Sequence, residues 1–278
     1  METIKMTKEC LEARPLSYSS LKAFAQSPKH FIKYRTSPFE PSPAMILGSA
    51  FEDYLFEPEK FKKKYVAYRP ATGTGSRAIN EAKKQEARDN HIIFLKPEEL
   101  NTLELMKESL MSTDNIRPYI DNVTAKQVEL RWRAGKTKLP FVGYVDFETE
   151  VHGAQFAVDL KTTNNADPDE FPRSAYKFHY NYQWAAYATG YERMKYKWPH
   201  FAYLAVETVE PYNASLFFIE PKTMQESRDE WNAIVTAFEY CMEHELFHMG
   251  YEFRSLTMPY FSMHKPGYYK PKFLLNDE

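Results

Sequence analysis

Two stretches in the middle of the chain decide its fold: Gly143-Tyr144-Val145-Asp146 and, about a dozen residues later, Val158-Asp159-Leu160-Lys161-Thr162-Thr163. Side chains at i and i+2 of a strand share a face. Asp159 and Lys161 are therefore predicted to point the same way, with Val158 and Leu160 in the core. Asp146 ends the preceding strand, and a turn at 152–153 should return the chain beside it. We expect two carboxylates and an ammonium at one sheet edge.

The rest of the chain predicts a mixed α/β (α+β) fold around this sheet. Alternating polarity indicates strands over 127–133, 139–147, 155–161, 201–209 and 215–219. Helical spacing indicates helices over 18–25, from Pro28, and over 46–56, 76–90, 97–111, 168–176, 180–192 and 222–247. We predict a single domain over 1–278, with a helical part over about 16–120, a catalytic sheet with helices over about 125–250, and a tail over 251–278.

Composition narrows the class of protein. Apolar residues make up 43% of the 278 residues and aromatic residues 16%, which favours a packed globule. The two cysteines, Cys10 and Cys241, exclude a disulfide framework, a cysteine zinc site and a four-cysteine iron–sulfur cluster. No apolar run approaches the ~20 residues of a membrane span, and residues 1–14 do not resemble a signal peptide. We therefore expect a soluble cytoplasmic protein without membrane contact.

Charge is distributed unevenly although the net charge is only −2. Residues 60–90 contain nine Lys and Arg against three acids, whereas residues 221–247 contain two basic and six acidic residues. A solvated helix face explains such runs most often. The asymmetry also suits a protein with one face that approaches a polyanion.

The predicted cluster suits phosphodiester hydrolysis. Paired carboxylates such as Asp146 and Asp159 hold hard divalent cations, and the Leu160 backbone carbonyl between the two β-strand side chains is a natural further ligand. A bound Mg²⁺, or Mn²⁺ as the alternative, activates water and neutralises charge on the phosphate. Lys161 can orient or deprotonate that water and stabilise the transition state. An isolated Asp-x-Lys pair is more often a salt bridge, but Gln183 and Tyr187, four apart on the following helix, add to the pattern.

The chain resembles the PD-(D/E)xK nuclease superfamily, especially its RecB-type and RecE-like phage exonuclease branch. The motifs that carry this resemblance are, in order, Asp146, Asp159-x-Lys161 and Gln183-x-x-x-Tyr187. Two earlier segments add to the resemblance, which spans roughly residues 16–190. The first is Leu16-Ser17-Tyr18-Ser19-Ser20-Leu21 with Ser27-Pro28-Lys29-His30-Phe31, and the second is Gly48-Ser49-Ala50-Phe51-Glu52-Asp53-Tyr54-Leu55-Phe56-Glu57-Pro58. Two departures are Val145, where the superfamily has its proline, and Ser27, where iron–sulfur members have a cysteine.

The resemblance implies a restriction-endonuclease-like core, a central mixed sheet flanked by helices, and a role for each matching position. It makes Asp146 and Asp159 metal ligands with the Leu160 carbonyl, and Lys161 the catalytic lysine. Glu52 stands where RecE-like enzymes usually have a histidine, and a carboxylate also suits Mg²⁺. Gln183 and Tyr187 are implied to touch the DNA backbone or to brace the site. Ser19, Ser20 and Arg35 are weaker candidates for phosphate contacts. Glu129, at a suitable distance before Asp146, is a second-rank candidate for a further metal ligand or is an acid on the strand face.

The implied activity is a Mg²⁺-dependent exonuclease that degrades double-stranded DNA ends 5′ to 3′ in phage or bacterial recombination or replication. The resemblance further implies a ring-like homo-oligomer, a single-strand annealing protein as partner, no iron–sulfur cluster, and the bacterial cytoplasm as location if the gene is phage-encoded. An endonuclease or single-strand exonuclease of the same superfamily, and a non-catalytic DNA-end-binding module, stay open as alternatives.

A fourth alternative comes from His244-Glu245-Leu246-Phe247-His248, which has the His-Glu-x-x-His spacing of zinc peptidases. On one helix the two histidines would share a face. No third ligand is evident, and exposed helix histidines are the more frequent explanation of such a pair.

Overall fold

A five-stranded mixed sheet forms the centre of the computed structural model, which describes residues 6–194 and 199–250. Its strand order is β3-β4-β5-β6-β7. Neighbouring strands are antiparallel except β5 and β6, which are parallel. The strands are β3 (Val123–Ala134), β4 (Leu139–Val151), β5 (Ala154–Thr163), β6 (His200–Glu207) and β7 (Ala214–Phe218). The predicted α+β fold is confirmed.

Helices fill the N-terminal third as predicted, and their caps explain where they begin. Ser17 and Ser20 form a reciprocal capping box at the start of α2. Ser42 caps α4, and Pro43 occupies the first helical turn, so this helix begins earlier than position 46. The helices before the central sheet are α1 (Lys8–Ala13), α2 (Tyr18–Gln26), α3 (Pro28–Thr36), α4 (Pro43–Phe56), α5 (Pro58–Lys64), α6 (Ser76–Asp89), α7 (Pro97–Ser112) and α8 (Arg117–Asp121).

A second, two-stranded sheet lies within this helical third, where no strand was predicted. Its strands β1 (Tyr65–Ala67) and β2 (Ile93–Leu95) are parallel and are joined through α6. Each strand has only three residues, too few to show an alternating pattern. Their pairing depends instead on the buried Tyr65 and Leu95, which belong to the core on one face of the central sheet.

The central sheet is covered on both faces by helices. One core contains Leu21 and Phe24 of α2, together with Tyr182 of the later helix over Tyr180–Arg193 and Phe238 of the helix over Pro221–Glu243. The core on the opposite face contains Phe51 of α4 together with residues of α7, β5 and β6. Val158 is fully buried in this second core and Leu160 packs against it, so the predicted alternation along β5 is confirmed.

Three further α-helices occur in the described residues after β5: α9 (Phe171–Lys177), α10 (Tyr180–Arg193) and α11 (Pro221–Glu243). The last was predicted to reach position 247, but it ends at Glu243, and a 3-10 turn follows over Leu246–His248. Within the described part of the chain, no helix has the length and apolarity needed to cross a membrane. The predicted tail over 251–278 lies outside the described residues.

Candidate active site

The candidate site forms where β4 separates from β5. Backbone pairing of the two strands ends at Phe147 and Val158. Beyond this point Asp146 Oδ2 accepts a 2.8 Å hydrogen bond from the N–H of Leu160. A carboxylate therefore replaces the carbonyl that would continue the ladder. Because the N–H and C=O of a strand residue point to the same edge, the Leu160 carbonyl also faces the side where Asp146 lies.

Lys161 and Asp159, which flank Leu160 on β5, are in direct contact. The Lys161 ammonium forms an ion pair with Asp159 Oδ2 and donates to Gln183 Oε1 over 3.0 Å. The Gln183 amide nitrogen donates to Asp159 Oδ1. Gln183 of α10 thus bridges the carboxylate and the ammonium of the Asp-x-Lys pair.

Glu52 reaches the cluster from α4. A Cβ at Gly48 would be 3.1 Å from Thr162 Oγ1, so the glycine allows α4 to pack closely on β5. Glu52 follows one helical turn later. Its Oε1 accepts a hydrogen bond from the side-chain amide of Gln127. Gln127 has a φ of 47° at the position on β3 between the residues paired with Val145 and Phe147, so the strand is distorted opposite Asp146.

The three carboxylates of the site, Asp146, Asp159 and Glu52, disfavour one another's ionised form. Burial raises the pKa of Asp146 well above its usual value, and the charges of Asp159 and Glu52 raise it further. Burial also raises the pKa of Glu52, against the hydrogen bond from Gln127. For Lys161, burial lowers the pKa, but Asp159 and Asp146 outweigh that effect and raise it. A buried group of carboxylates with one ammonium favours the entry of a cation.

The donor atoms suit a hard divalent cation, although the side chains are not arranged around one. Within residues 6–194 and 199–250, no three His, Cys, Asp or Glu side chains have a metal-holding arrangement. Asp159 Oδ2 is buried, and its partner among the described residues is the Lys161 ammonium. Carboxylate and carbonyl oxygens are the ligands that Mg²⁺ prefers. Binding a cation at Asp159 therefore requires its ion pair with Lys161 to open.

Tyrosines line the lysine side of the site, and the sequence analysis did not identify them. The Lys161 ammonium lies 4.6 Å from the ring centre of Tyr180 and 5.9 Å from that of Tyr203. The Tyr203 hydroxyl donates to the Tyr180 carbonyl over 2.6 Å. Tyr203 is the register partner of Asp159 across the parallel strands β5 and β6. Only the sheet order reveals this neighbour, whereas Tyr180 is the first residue of the predicted helix.

Comparison with protein-family models agrees with this geometry. Residues 17–249 match the model of the PDDEXK-like domain of unknown function, DUF3799. The chain belongs to this family. The match of a PDDEXK-like domain also confirms the resemblance drawn from Asp146, Asp159 and Lys161. No curated protein matches the chain.

Several solved structures are similar to this PDDEXK-like domain, among them two named as exonucleases. A "putative exonuclease" from Eubacterium rectale is 15% identical, with a TM-score of 0.57, over 94% of this chain and 97% of that one. At this identity the likeness shows the fold alone. A phage-related exonuclease from Haemophilus somnus 129PT is 12% identical, with a TM-score of 0.35, over 83% of this chain and 96% of that one. The second likeness is too low to support an argument.

The structure also locates the other predicted residues of the PDDEXK-like domain. Tyr187 is buried, and its hydroxyl accepts from Gln183 over 3.1 Å, so it braces the site. Ser20 is buried, and its hydroxyl bonds to Ser17 in the α2 cap. The direct phosphate contact predicted for Ser20 is therefore not available. Ser19 is half-buried. Arg35 donates to the carbonyls of Cys10 and Pro15 and so ties down the N-terminal segment.

Glu129 does not join the carboxylates of the site. It is exposed and forms an ion pair with Arg131, and it accepts a 2.9 Å hydrogen bond from the Tyr144 hydroxyl. These partners also lower the pKa of Glu129, with Arg131 the main cause. Glu129, the second-rank candidate for a metal ligand, thus has its partners on the surface and does not join Asp146 and Asp159.

The basic segment over 60–90 is partly neutralised within the domain. Lys60 and Lys64 form ion pairs with the buried Asp53, at 2.6 and 2.9 Å. Four more cations of the segment have acidic partners: Lys62, Arg69, Lys83 and Lys84. Because acidic partners neutralise these six cations, the structure supports a polyanion-binding face on this segment less than the sequence did.

The zinc-peptidase geometry is wrong for this chain. His244 is the C-cap residue that follows the last residue of α11, Glu245 has a φ of 55°, and His248 lies in the 3-10 turn. The two histidines are therefore not on one helix, and the i, i+4 relation needed for a shared face is lost. His248 Nδ1 instead lies 3.2 Å from the carbonyl of Glu245.

Proposed function

We propose that this PDDEXK-like domain is a divalent-cation-dependent DNA nuclease that hydrolyses phosphodiester bonds. The observation that carries the proposal is the hydrogen bond from Leu160 N–H to Asp146, which places Asp146 beside the Asp159–Lys161 pair. The family match supports it. The exonuclease name of the Eubacterium rectale protein, which has the same fold, supports it as well.

Asp146, Asp159 and the Leu160 carbonyl would hold Mg²⁺, or alternatively Mn²⁺, with Glu52 as a further ligand. The ion supplies an activated water and neutralises charge that develops on the phosphate. Lys161 donates hydrogen bonds to a phosphate oxygen or to the attacking water once its contact with Asp159 opens. Gln183 keeps the lysine and the aspartate in place, and the rings of Tyr180 and Tyr203 limit the movement of the ammonium.

For the substrate we propose double-stranded DNA ends, degraded 5′ to 3′ to products with 5′-phosphates. A ring-like oligomer and a single-strand annealing partner belong to the same proposal. These finer statements rest on the resemblance to RecE-like exonucleases. An endonuclease or a single-strand exonuclease remains the alternative, as does a DNA-end-binding module without catalysis.

The test is digestion of linear duplex, labelled at either the 5′ or the 3′ end, and of closed circular duplex, with Mg²⁺ or EDTA. We expect loss of the 5′ label from linear DNA, with Mg²⁺ only, and intact circles. Asp146→Ala should abolish cleavage. Glu150→Ala, an exposed acid four residues later on the same strand face, is the matched control.

Other outcomes separate the alternatives. Nicked or linearised circles would indicate an endonuclease, and digestion of single strands alone would indicate a single-strand exonuclease. Tight binding of DNA ends without cleavage, unchanged in Lys161→Ala, would indicate a binding module and overturn the proposed function.

A further inference from the structure

A groove on the outer surface of α2 and α3 lies apart from the carboxylate site. Its volume is about 690 Å³, and it is lined on one side by Ala23 and Gln26 and on the other by residues of α3 and of the segment that follows. Phe39 is 75% exposed there, and Tyr34 is 37% exposed. Large exposed aromatic rings around a groove indicate a ligand that stacks on them.

The groove is also positively charged. Arg14 and Lys33 line it, and neither forms an ion pair in the described part of the chain. Arg14 donates one hydrogen bond, to the carbonyl of Arg35 over 2.8 Å. The Arg14 guanidinium is 5.8 Å from the ring centre of Tyr34. Glu40 is the acid among the lining residues. Surfaces that bind single-stranded nucleic acid combine cations with exposed aromatic rings. The cations contact the phosphates, and the unpaired bases stack on the rings.

One face of α2 connects the groove with the candidate active site. Tyr18, Lys22 and Gln26 are spaced four residues apart and so form a single stripe. At one end the Tyr18 hydroxyl donates to the carbonyl of Phe178, two residues before Tyr180. In the middle, the Lys22 ammonium lies 5.1 Å from the Tyr18 ring centre. At the other end Gln26 lines the groove.

The stripe has the length of a short piece of nucleic acid. Eight residues of helix rise about 12 Å, which corresponds to about four stacked nucleotides at 3.4 Å each. Lys22 is half-buried on this path, and no carboxylate in the described ranges forms an ion pair with it. A strand held at Lys161 and directed along α2 would thus pass one further cation before it enters the groove.

From this arrangement we propose that the Arg14–Lys33–Tyr34–Phe39 groove binds a single strand of DNA that continues from the scissile phosphate along α2. The inference rests on the proposed nuclease function and adds to it a substrate-strand site outside the carboxylate cluster. Its consequence is that the protein holds one unpaired strand, and not an intact duplex, on this surface.

The test compares binding of a fluorescent single strand of about 20 nucleotides with a blunt duplex of equal length, by anisotropy in EDTA, where no cleavage occurs. Lys33→Glu combined with Phe39→Ala should weaken single-strand binding about tenfold or more and change duplex binding less than twofold. Both side chains are exposed, so the fold should be retained, and equal thermal midpoints verify this.

Lys222→Glu is the matched charge control. Lys222 is 80% exposed and lies about 24 Å along α11 from Phe238, the residue that packs on Phe24 and Phe31 beneath α2 and α3. This control should leave both affinities unchanged. As a second readout, a strand that carries 5-iodouracil should crosslink to the peptide containing Tyr34 and Phe39.

Unchanged single-strand affinity in the double variant overturns the inference, as does an equal loss for single strand and duplex. Displacement of the strand by a polyglutamate peptide as effectively as by unlabelled DNA also overturns it, in favour of an acidic protein partner. The proposed function fails separately: a wild-type protein that binds DNA but never cleaves it contradicts the nuclease and leaves the groove result intact.

Discussion

Gly143 lies against the ring of Tyr187 so closely that a Cβ at position 143 would be 2.8 Å from a ring carbon. The Tyr187 hydroxyl accepts from Gln183, and Gln183 contacts both Lys161 and Asp159. A glycine on β4 therefore sets how closely α10 approaches the sheet, and through Tyr187 it sets the position of the bridging amide.

Gly143→Ala should destabilise the protein by about 1–3 kcal/mol, because the ring must move within a packed core. Urea unfolding measures the change. In a Tyr187→Leu background the same substitution should cost much less, since the ring is gone. An equal cost in both backgrounds would show that the close contact with Tyr187 is not the cause.

Gln183→Leu should lower the rate of DNA cleavage about 10- to 100-fold, in the range seen for partners that orient the ligands of a metal site. The substitution removes the amide that bridges Lys161 and Asp159. Gln225→Leu, on α11 with only a surface bond to Asp229, is the control. Initial cleavage rates at saturating Mg²⁺ should differ between the two variants. Equal rates would show that Gln183 does not position Lys161 and Asp159 for cleavage.

Gln127→Ala should raise the Mg²⁺ concentration for half-maximal cleavage about tenfold, because Glu52 loses the amide that holds it. Gln155→Ala, an exposed glutamine on β5, should leave the Mg²⁺ dependence unchanged. The measurement is a Mg²⁺ titration of the cleavage rate. An unshifted titration in Gln127→Ala would argue that Glu52 does not contact the ion.

Asp146→Asn should raise the melting temperature at neutral pH in EDTA. Burial and the charges of Asp159 and Glu52 raise the pKa of Asp146 in the folded protein. Folding therefore favours the protonated form, and the wild type loses stability as pH rises from the unfolded carboxyl pKa of about 3.9 towards the folded value. Asparagine carries no charge and can still accept from Leu160 N–H.

Calorimetry at several pH values checks this expectation. For a chain of this size, each kcal/mol corresponds to about 2–4 °C. The gain should disappear below the unfolded pKa, where Asp146 is protonated in both states. It should also disappear with Mg²⁺, which stabilises only the wild type. Glu150→Gln serves as the control, and a lower melting temperature for Asp146→Asn at neutral pH would contradict the buried-charge argument.

Local patterns predicted much of the fold because they depend on neighbouring residues only. The alternation in β5 placed Val158 in the core and Asp159 with Lys161 on one face. Helix caps such as Ser17 are equally local. The end of α11 was missed because the apolar spacing continues past Glu243, while the backbone turns at Glu245, with its φ of 55°.

By itself the sequence determined the mixed α+β fold, since strand and helix periods follow from backbone geometry. Its motifs, among them the Asp-x-Lys pattern, indicated the family through their resemblance to known nucleases. The tertiary structure alone decided which groups meet them. Tyr203 comes beside Asp159 through the parallel register of β5 and β6, and Gln127 reaches Glu52 across β3 and α4. Such contacts join residues far apart in the chain. They depend on strand order and on the packing of whole elements, which no local pattern encodes.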